Sequence, residues 1–335
     1  MNRLLVLSVF GILILSSGMA CSKEVATLGR IERLDPAFDR LVDQDAAIEL
    51  LVANRFEWAE GPVWDPAGKR LLFSDIPRNT IWEWSQTSGL KEFLKPSGYT
   101  GTARFTGREP GSNGLAFNRA GELVVCQHGD RRIAKWVDGK FVTLADRYAG
   151  KRLNSPNDLA IRSNGDVYFT DPPYGLPKLT EDSGRELDFQ GVYRLNAQGE
   201  LALLTKELLR PNGLAFSADE KTLYVANSDP EKAILMAFPV RPDGSLGNGK
   251  VFFDVTAAVG KQRPGLPDGV KVSADGTVWA TGPGGVLVYS QQGKHLGTLA
   301  TGVATANLAF GDDGGTLYLT ADKSLVRVRT KVKGR

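Results

Sequence analysis

Residues 113–128 read NGLAFNRAGELVVCQH: an amide, a glycine, an apolar run, a turn rich in Asn, Ala and Gly, and a second apolar run. Two short β-type runs around a tight turn describe an antiparallel pair. The string recurs five times, beginning at Glu60 (EGPVWDPAGKRLLFSD), Asn157 (NDLAIRSNGDVYFTD), Asn212 (NGLAFSADEKTLYVAN), Asp268 (DGVKVSADGTVWATG) and Asn307 (NLAFGDDGGTLYLTA). Successive starts are 53, 44, 55, 56 and 39 residues apart. Gly68, Gly121, Gly165 and Gly276 stand where a turn calls for positive φ. More β-type runs follow within the units, at Thr80–Trp84, Arg132–Trp136, Gly191–Leu195 and Gly285–Tyr289, and helical periodicity is weak after residue 50. Repeats of about 40–50 residues with room for four short strands are the pattern of propeller blades. The expectation is an all-β, six-bladed β-propeller over residues 51–331, forming one domain. Leu51–Phe56 is the expected ring-closing strand. Residues 21–50 are expected to be an N-terminal extension, with a short helix around Asp43–Leu51.

The first residues follow another logic. Met1-Asn2-Arg3 is a short positive end, Leu4–Leu15 is apolar apart from one Ser and one Gly, and small residues from Ser16 to Ala20 precede Cys21. This is the layout of a signal peptide over residues 1–20, with an apolar run too short to span a bilayer comfortably. A cut before Cys resembles a bacterial lipoprotein box, although Gly18 stands where Leu is usual. Export is expected, to the periplasm with a lipid anchor at Cys21, or as a plainly secreted protein. Cys126 is then the only other thiol, in an apolar run that reads as buried core.

The composition of the 335 residues excludes several functions. Lys plus Arg is 41 against 38 for Asp plus Glu, so no basic surface argues for nucleic acid. Two His and two Cys cannot make a three-His zinc site or a disulfide framework. There is no G-x-S-x-G elbow, Rossmann fingerprint or P-loop, hence no organic cofactor is implied. The composition leaves monomer and dimer open.

In a propeller the innermost strand of each blade lines the channel. The residue opening each unit can therefore converge at one end: Glu60, Asn113, Asn157, Asn212, Asp268 and Asn307. Two carboxylates and four amides form an oxygen-rich, His-free ring suited to Ca²⁺, and poor for zinc or copper. Asn-Gly and Asp-Gly are also ordinary turn signals, so a non-catalytic propeller with a structural ion is the competing reading. His128, closing a strand in Gln127-His128-Gly129-Asp130, reads as a channel-facing acid or base, or as a His packed between blades. Asp171 and Tyr174, on the proline-fixed Thr-Asp-Pro-Pro-Tyr-Gly loop, read as substrate contacts. His295, in a Gln-Gly-Lys-His turn, reads as surface, and Lys331–Arg335 as a frayed tail.

Seven motifs resemble the gluconolactonase, senescence-marker-protein and luciferin-regenerating-enzyme family: AEGPVW (59–64), GREPGSNGLAF (107–117), CQHGDRR (126–132), NSPNDLAI (154–161), FTDPPYG (169–175), RPNGLAF (210–216) and LPDGVKV (266–272). They run through most of the chain beyond residue 51. The resemblance implies a six-bladed propeller with one divalent cation, usually Ca²⁺, held by Glu60, Asn212 and Asp268, with Asn157 as a ligand or substrate contact. Asn113 and Asn307 match no family role and read as turn or channel residues, Asn113 towards the substrate. Animal members carry an Arg two residues before Asn157; this chain has Ser155, with Arg152 or Arg104 as candidate replacements. The implied activity is opening of a sugar lactone by water, with Asp268 as general base and His128 as the alternative. Another lactone or an organophosphate ester on the same scaffold is the competing substrate class.

Overall fold

The computed structural model describes residues 25–334; the leader and Cys21 lie outside them. The fold is the expected six-bladed ring of antiparallel sheets. The innermost strands are Ala59–Asp65, Ser112–Phe117, Leu159–Ile161, Pro211–Phe216, Val270–Val272 and Thr305–Gly311, and the last packs against the first. Apolar side chains on the sheet faces fill the space between blades, as alternation along half-buried strands requires.

Ring closure uses the N-terminal segment. Glu49–Val52 is the fourth strand of the last blade, paired with Ser324–Arg329, slightly ahead of the expected Leu51–Phe56. The expected helix at Asp43–Leu51 is absent. One turn of 3-10 helix forms instead at Pro36–Arg40, where Asp35 accepts the Ala37 N–H and proline fills the first turn. That turn places Phe38, fully buried, over Gly297, where a Cβ would stand 2.5 Å from the ring. Burying this side chain contributes about 2 kcal/mol. Arg30–Arg33 adds a fifth strand to the fifth blade.

Three of the four turn glycines have positive φ: Gly121 (77°), Gly165 (93°) and Gly276 (86°). Gly68 does not. The first repeat's turn is longer, Asp65 accepts the Gly68 N–H at 2.9 Å, and the left-handed position passes to Lys69 (49°). Cys126 is fully buried, as expected. His295 is half-buried and stacked on Tyr289 at 4.7 Å. The last described residues are tied down rather than frayed, with the Lys331 N–H donating to the Leu41 carbonyl and its Nζ 2.8 Å from Asp43.

Candidate functional site

In four of the six repeats the inner strand slips register around the residue that opens the repeat. Irregularities fall between Glu60 and Val63, Ser112 and Leu115, Pro211 and Leu214, and Thr305 and Asn307. Bulges of this kind re-aim a side chain, here towards the channel axis. The following glycines let neighbouring inner strands touch: a Cβ on Gly61 would stand 2.0 Å from the Asn113 carbonyl oxygen, and one on Gly213 would stand 2.1 Å from that of Asp268. The third repeat has Asp158 at the glycine position, and its carboxylate lies where a Gly114 Cβ would meet it at 2.6 Å.

All six predicted ring residues except Asp268 fall below one-tenth exposure, and Asp268 is only partly accessible. Glu60, Asn113, Asn157, Asn212 and Asp268 line one cavity of about 610 Å³ at the channel mouth. Asn307 lies behind them, its Nδ2 donating to Glu60 Oε2 at 3.1 Å and to Asp158 Oδ2 at 3.2 Å. It is a buried clamp between two carboxylates. Asn212 Nδ2 donates to Ser228 Oγ at 2.8 Å, and Ser228 in turn donates to the Pro267 carbonyl. With its nitrogen so engaged, the Asn212 amide turns its oxygen the other way.

This arrangement leaves buried oxygens without protein partners: Oδ1 of Asn113, Asn157, Asn212 and Asp268. An orphaned buried acceptor costs about 1–3 kcal/mol. Burial and the neighbouring carboxylates raise Asp268 well above the usual range, and burial together with Asp158 raises Glu60. Asp158 is raised by burial, which the charge of Lys271 opposes. Three acidic groups and one lysine ammonium leave a negative surplus that a divalent cation would neutralise. Among the described residues no three His, Cys, Asp or Glu side chains are placed to hold an ion by themselves. A cation here would need the amide oxygens as well. Two carboxylates, Glu60 and Asp268, with two amide oxygens, Asn157 and Asn212, form a hard-oxygen set that fits Ca²⁺, water and substrate completing six to eight ligands.

The other expected contacts divide. Tyr174 lines the cavity, its phenol pushed up by burial and then by Asp268. Asp171 does not line it. Fully buried, it accepts the Asn154 and Ser155 N–H groups at 2.8 Å each, and burial raises its carboxyl to about 7. Its task is to hold the 154–155 turn. Ser155 continues that role, donating to the Pro172 carbonyl at 2.6 Å and accepting the Gly175 N–H at 2.9 Å, which fixes the loop carrying Tyr174. Arg152 reaches the Asp130 carbonyl, and neither it nor Arg104 lines the cavity; the guanidinium at the wall is Arg210.

His128 is also displaced from its expected place. It is fully buried and absent from the cavity wall, packed behind Asn113. Asn113 Nδ2 lies 3.5 Å from His128 Nε2. Nδ1 approaches Glu109 Oε2 at 2.9 Å, out of line with the ring N–H, as an electrostatic contact and not a hydrogen bond. Glu109, Asp158, Arg210 and Ser228 are site residues missed by the sequence reading. Asp158 carried a signal, as the acid standing where four of the other five repeats have glycine, and Glu109 and Arg210 stand within the motifs GREPGSNGLAF and RPNGLAF.

Residues 58–323 match the model of the family described as the SMP-30/Gluconolactonase/LRE-like region. A gluconolactonase of Zymomonas mobilis is 40% identical over 323 residues, covering 92% of this chain and 88% of the relative. The solved structure of a Xanthomonas campestris gluconolactonase superposes with a TM-score of 0.78 at 31% identity, covering 92% of this chain and 99% of that one. The calcium-binding regucalcin structure from Agrobacterium tumefaciens shares the fold, with a TM-score of 0.65 at 20% identity over 85% of this chain and 94% of that one. A ring read from six repeats, an oxygen-lined channel mouth and a match across most of the propeller agree: this chain belongs to the SMP-30/gluconolactonase/LRE-like family.

Proposed function

We infer that the protein is a lactone hydrolase that takes Ca²⁺ on Glu60, Asn157, Asn212 and Asp268 and opens a sugar lactone such as gluconolactone. The observation carrying this reading is the set of buried, unpartnered oxygens on Asn113, Asn157, Asn212 and Asp268 at the floor of a cavity of about 610 Å³. The Zymomonas and Xanthomonas gluconolactonases support the substrate class. A bound cation would polarise the lactone carbonyl and stabilise the oxyanion that forms when water attacks. The chain's own residues do the rest. Asn113 presents its amide oxygen to the sugar hydroxyls, and Tyr174 adds a phenol that burial keeps protonated. Trp58, Ile76 and Leu266 give the lactone ring an apolar wall and limit water around it. The reading includes export, as the leader pattern of residues 1–20 supports, with Cys21 as the lipid anchor point.

Lactone opening yields an acid, so base uptake at constant pH follows it directly, with spontaneous opening subtracted. Calcium-loaded protein is expected to open glucono-1,5-lactone faster than it opens aliphatic lactones or a phosphotriester. Failure to open any member of a broad lactone panel would overturn the reading, and turnover of the phosphotriester alone would replace the substrate class.

A further inference from the structure

Hydrolysis of a lactone needs a group to take the proton of the attacking water, and three candidates stand in or beside the cavity besides the carboxylates of the cation set: His128, Tyr174 and Glu109. His128 is fully buried behind Asn113, with its Nε2 facing the Asn113 amide. A base so enclosed cannot reach water. Tyr174 is held protonated by burial. Asp268 lies among Glu60 and Asp158 in the oxygen set that suits the cation, where its lone pairs would be committed to the ion.

Glu109 differs from all of these. It is on the cavity wall, its side chain is 30% exposed, and only Oε2 is engaged, by the 2.9 Å approach of His128 Nδ1. Among the described residues no hydrogen-bond donor reaches Oε1. It lines the same cavity as Glu60, Asn157, Asn212 and Asp268, and its charge is felt at both Asp268 and Tyr174. Behind it His128 is held in a packed setting: its Nε2 lies 3.5 Å from the Asn113 amide, and the Gly175 backbone packs so closely on its Cβ that a Cβ on Gly175 would stand 2.7 Å away. A cavity-edge carboxylate with one free oxygen and a buried imidazole against the other has the form of a positioned general base.

We propose that Glu109 takes the proton from the attacking water, with His128 as its positioning residue. This rests on the lactone-hydrolase reading above. The water oxygen bonds to the lactone carbonyl carbon while one water proton passes to Glu109 Oε1. The tetrahedral adduct then collapses, the ring C–O bond breaks, and the departing ring oxygen recovers that proton as a hydroxyl. The sum is lactone plus water giving a hydroxy acid, with Glu109 restored.

The test compares Glu109→Gln with the wild type in the full chain, calcium-loaded, on glucono-1,5-lactone. Glutamine keeps the shape and the contact with His128 while removing the proton acceptor. A general base contributes about 10²–10⁴-fold, so kcat is expected to fall at least about 100-fold, with KM and calorimetric calcium affinity within about threefold of wild type. Added formate should restore part of the rate in Glu109→Gln and none in Asp268→Asn. His128→Gln should lower kcat by a smaller factor at unchanged calcium affinity. If the wild type opens no lactone, the underlying reading fails. If it does and Glu109→Gln keeps kcat within threefold, or loses calcium affinity in step with rate, the assignment of Glu109 is wrong.

Discussion

Ser228 touches the account at its most sensitive point, because one hydroxyl serves two buried groups. Its Oγ accepts Asn212 Nδ2–H at 2.8 Å and donates to the Pro267 carbonyl at 2.5 Å. Ser228→Ala leaves an amide N–H and a carbonyl buried without partners. Each such loss costs about 1–3 kcal/mol, so the variant should be destabilised by about 2–6 kcal/mol in urea. The more telling effect is on Asn212. Freed from Ser228, its amide can rotate and present NH₂ where the oxygen stood. Removing a partner that orients a ligand typically costs 10–100-fold in metal affinity, and calorimetric titration of the folded variant should show a loss of that size. Calcium affinity within twofold of wild type would refute the idea that Ser228 orients Asn212 for a cation.

Three further outcomes follow from the same geometry. Gly213→Ala places a Cβ 2.1 Å from the Asp268 carbonyl oxygen and 2.7 Å from the Gly269 Cα, and should cost about 3 kcal/mol or more in chemical denaturation. Asn307→Leu removes the clamp between Glu60 and Asp158 and should weaken calcium binding while shifting kcat no more than the affinity explains, read by calorimetry beside saturating-calcium rates. Burial holds the Asp171 carboxyl at about 7, whereas in the unfolded chain it titrates near ~4. Between those values the native state keeps a proton that the unfolded state has lost, so the contribution of Asp171 to calcium-free stability is full below about pH 4 and is lost as pH rises through about 7. Asp171→Asn should be less stable throughout and flatter across that window, as urea midpoints between pH 5 and pH 8 would show.

The repeat carried most of the architecture. Six strings of polar residue, apolar run, turn and apolar run specify both the blades and the residues that converge on the axis, because each string opens within two residues of the start of its blade's inner strand. The closing strand was legible from its position ahead of the first repeat. The helix expected around Asp43–Leu51 was not, since the capping Asp35 and Pro36 draw the turn earlier and Glu49 is paired with Arg327 at 2.7 Å. His128 and Asp171 occupy equivalent strand ends in neighbouring repeats, which made both look like channel residues. Their side chains turn instead to Asn113 and to the backbone of 154–155, and no local pattern distinguishes those directions. Glu109 lies in the insert between the first and second blades, outside the repeat, so its place beside His128 is purely tertiary.

The account stands most directly on the rate of glucono-1,5-lactone opening by one preparation before metal removal, after exhaustive chelation, and after calcium is returned, with Asp268→Ala alongside. It predicts a rate that falls to the spontaneous background on chelation, recovers with calcium, and never rises above background in Asp268→Ala. A chelated protein, verified free of metal, that opens the lactone as fast as the original would contradict it.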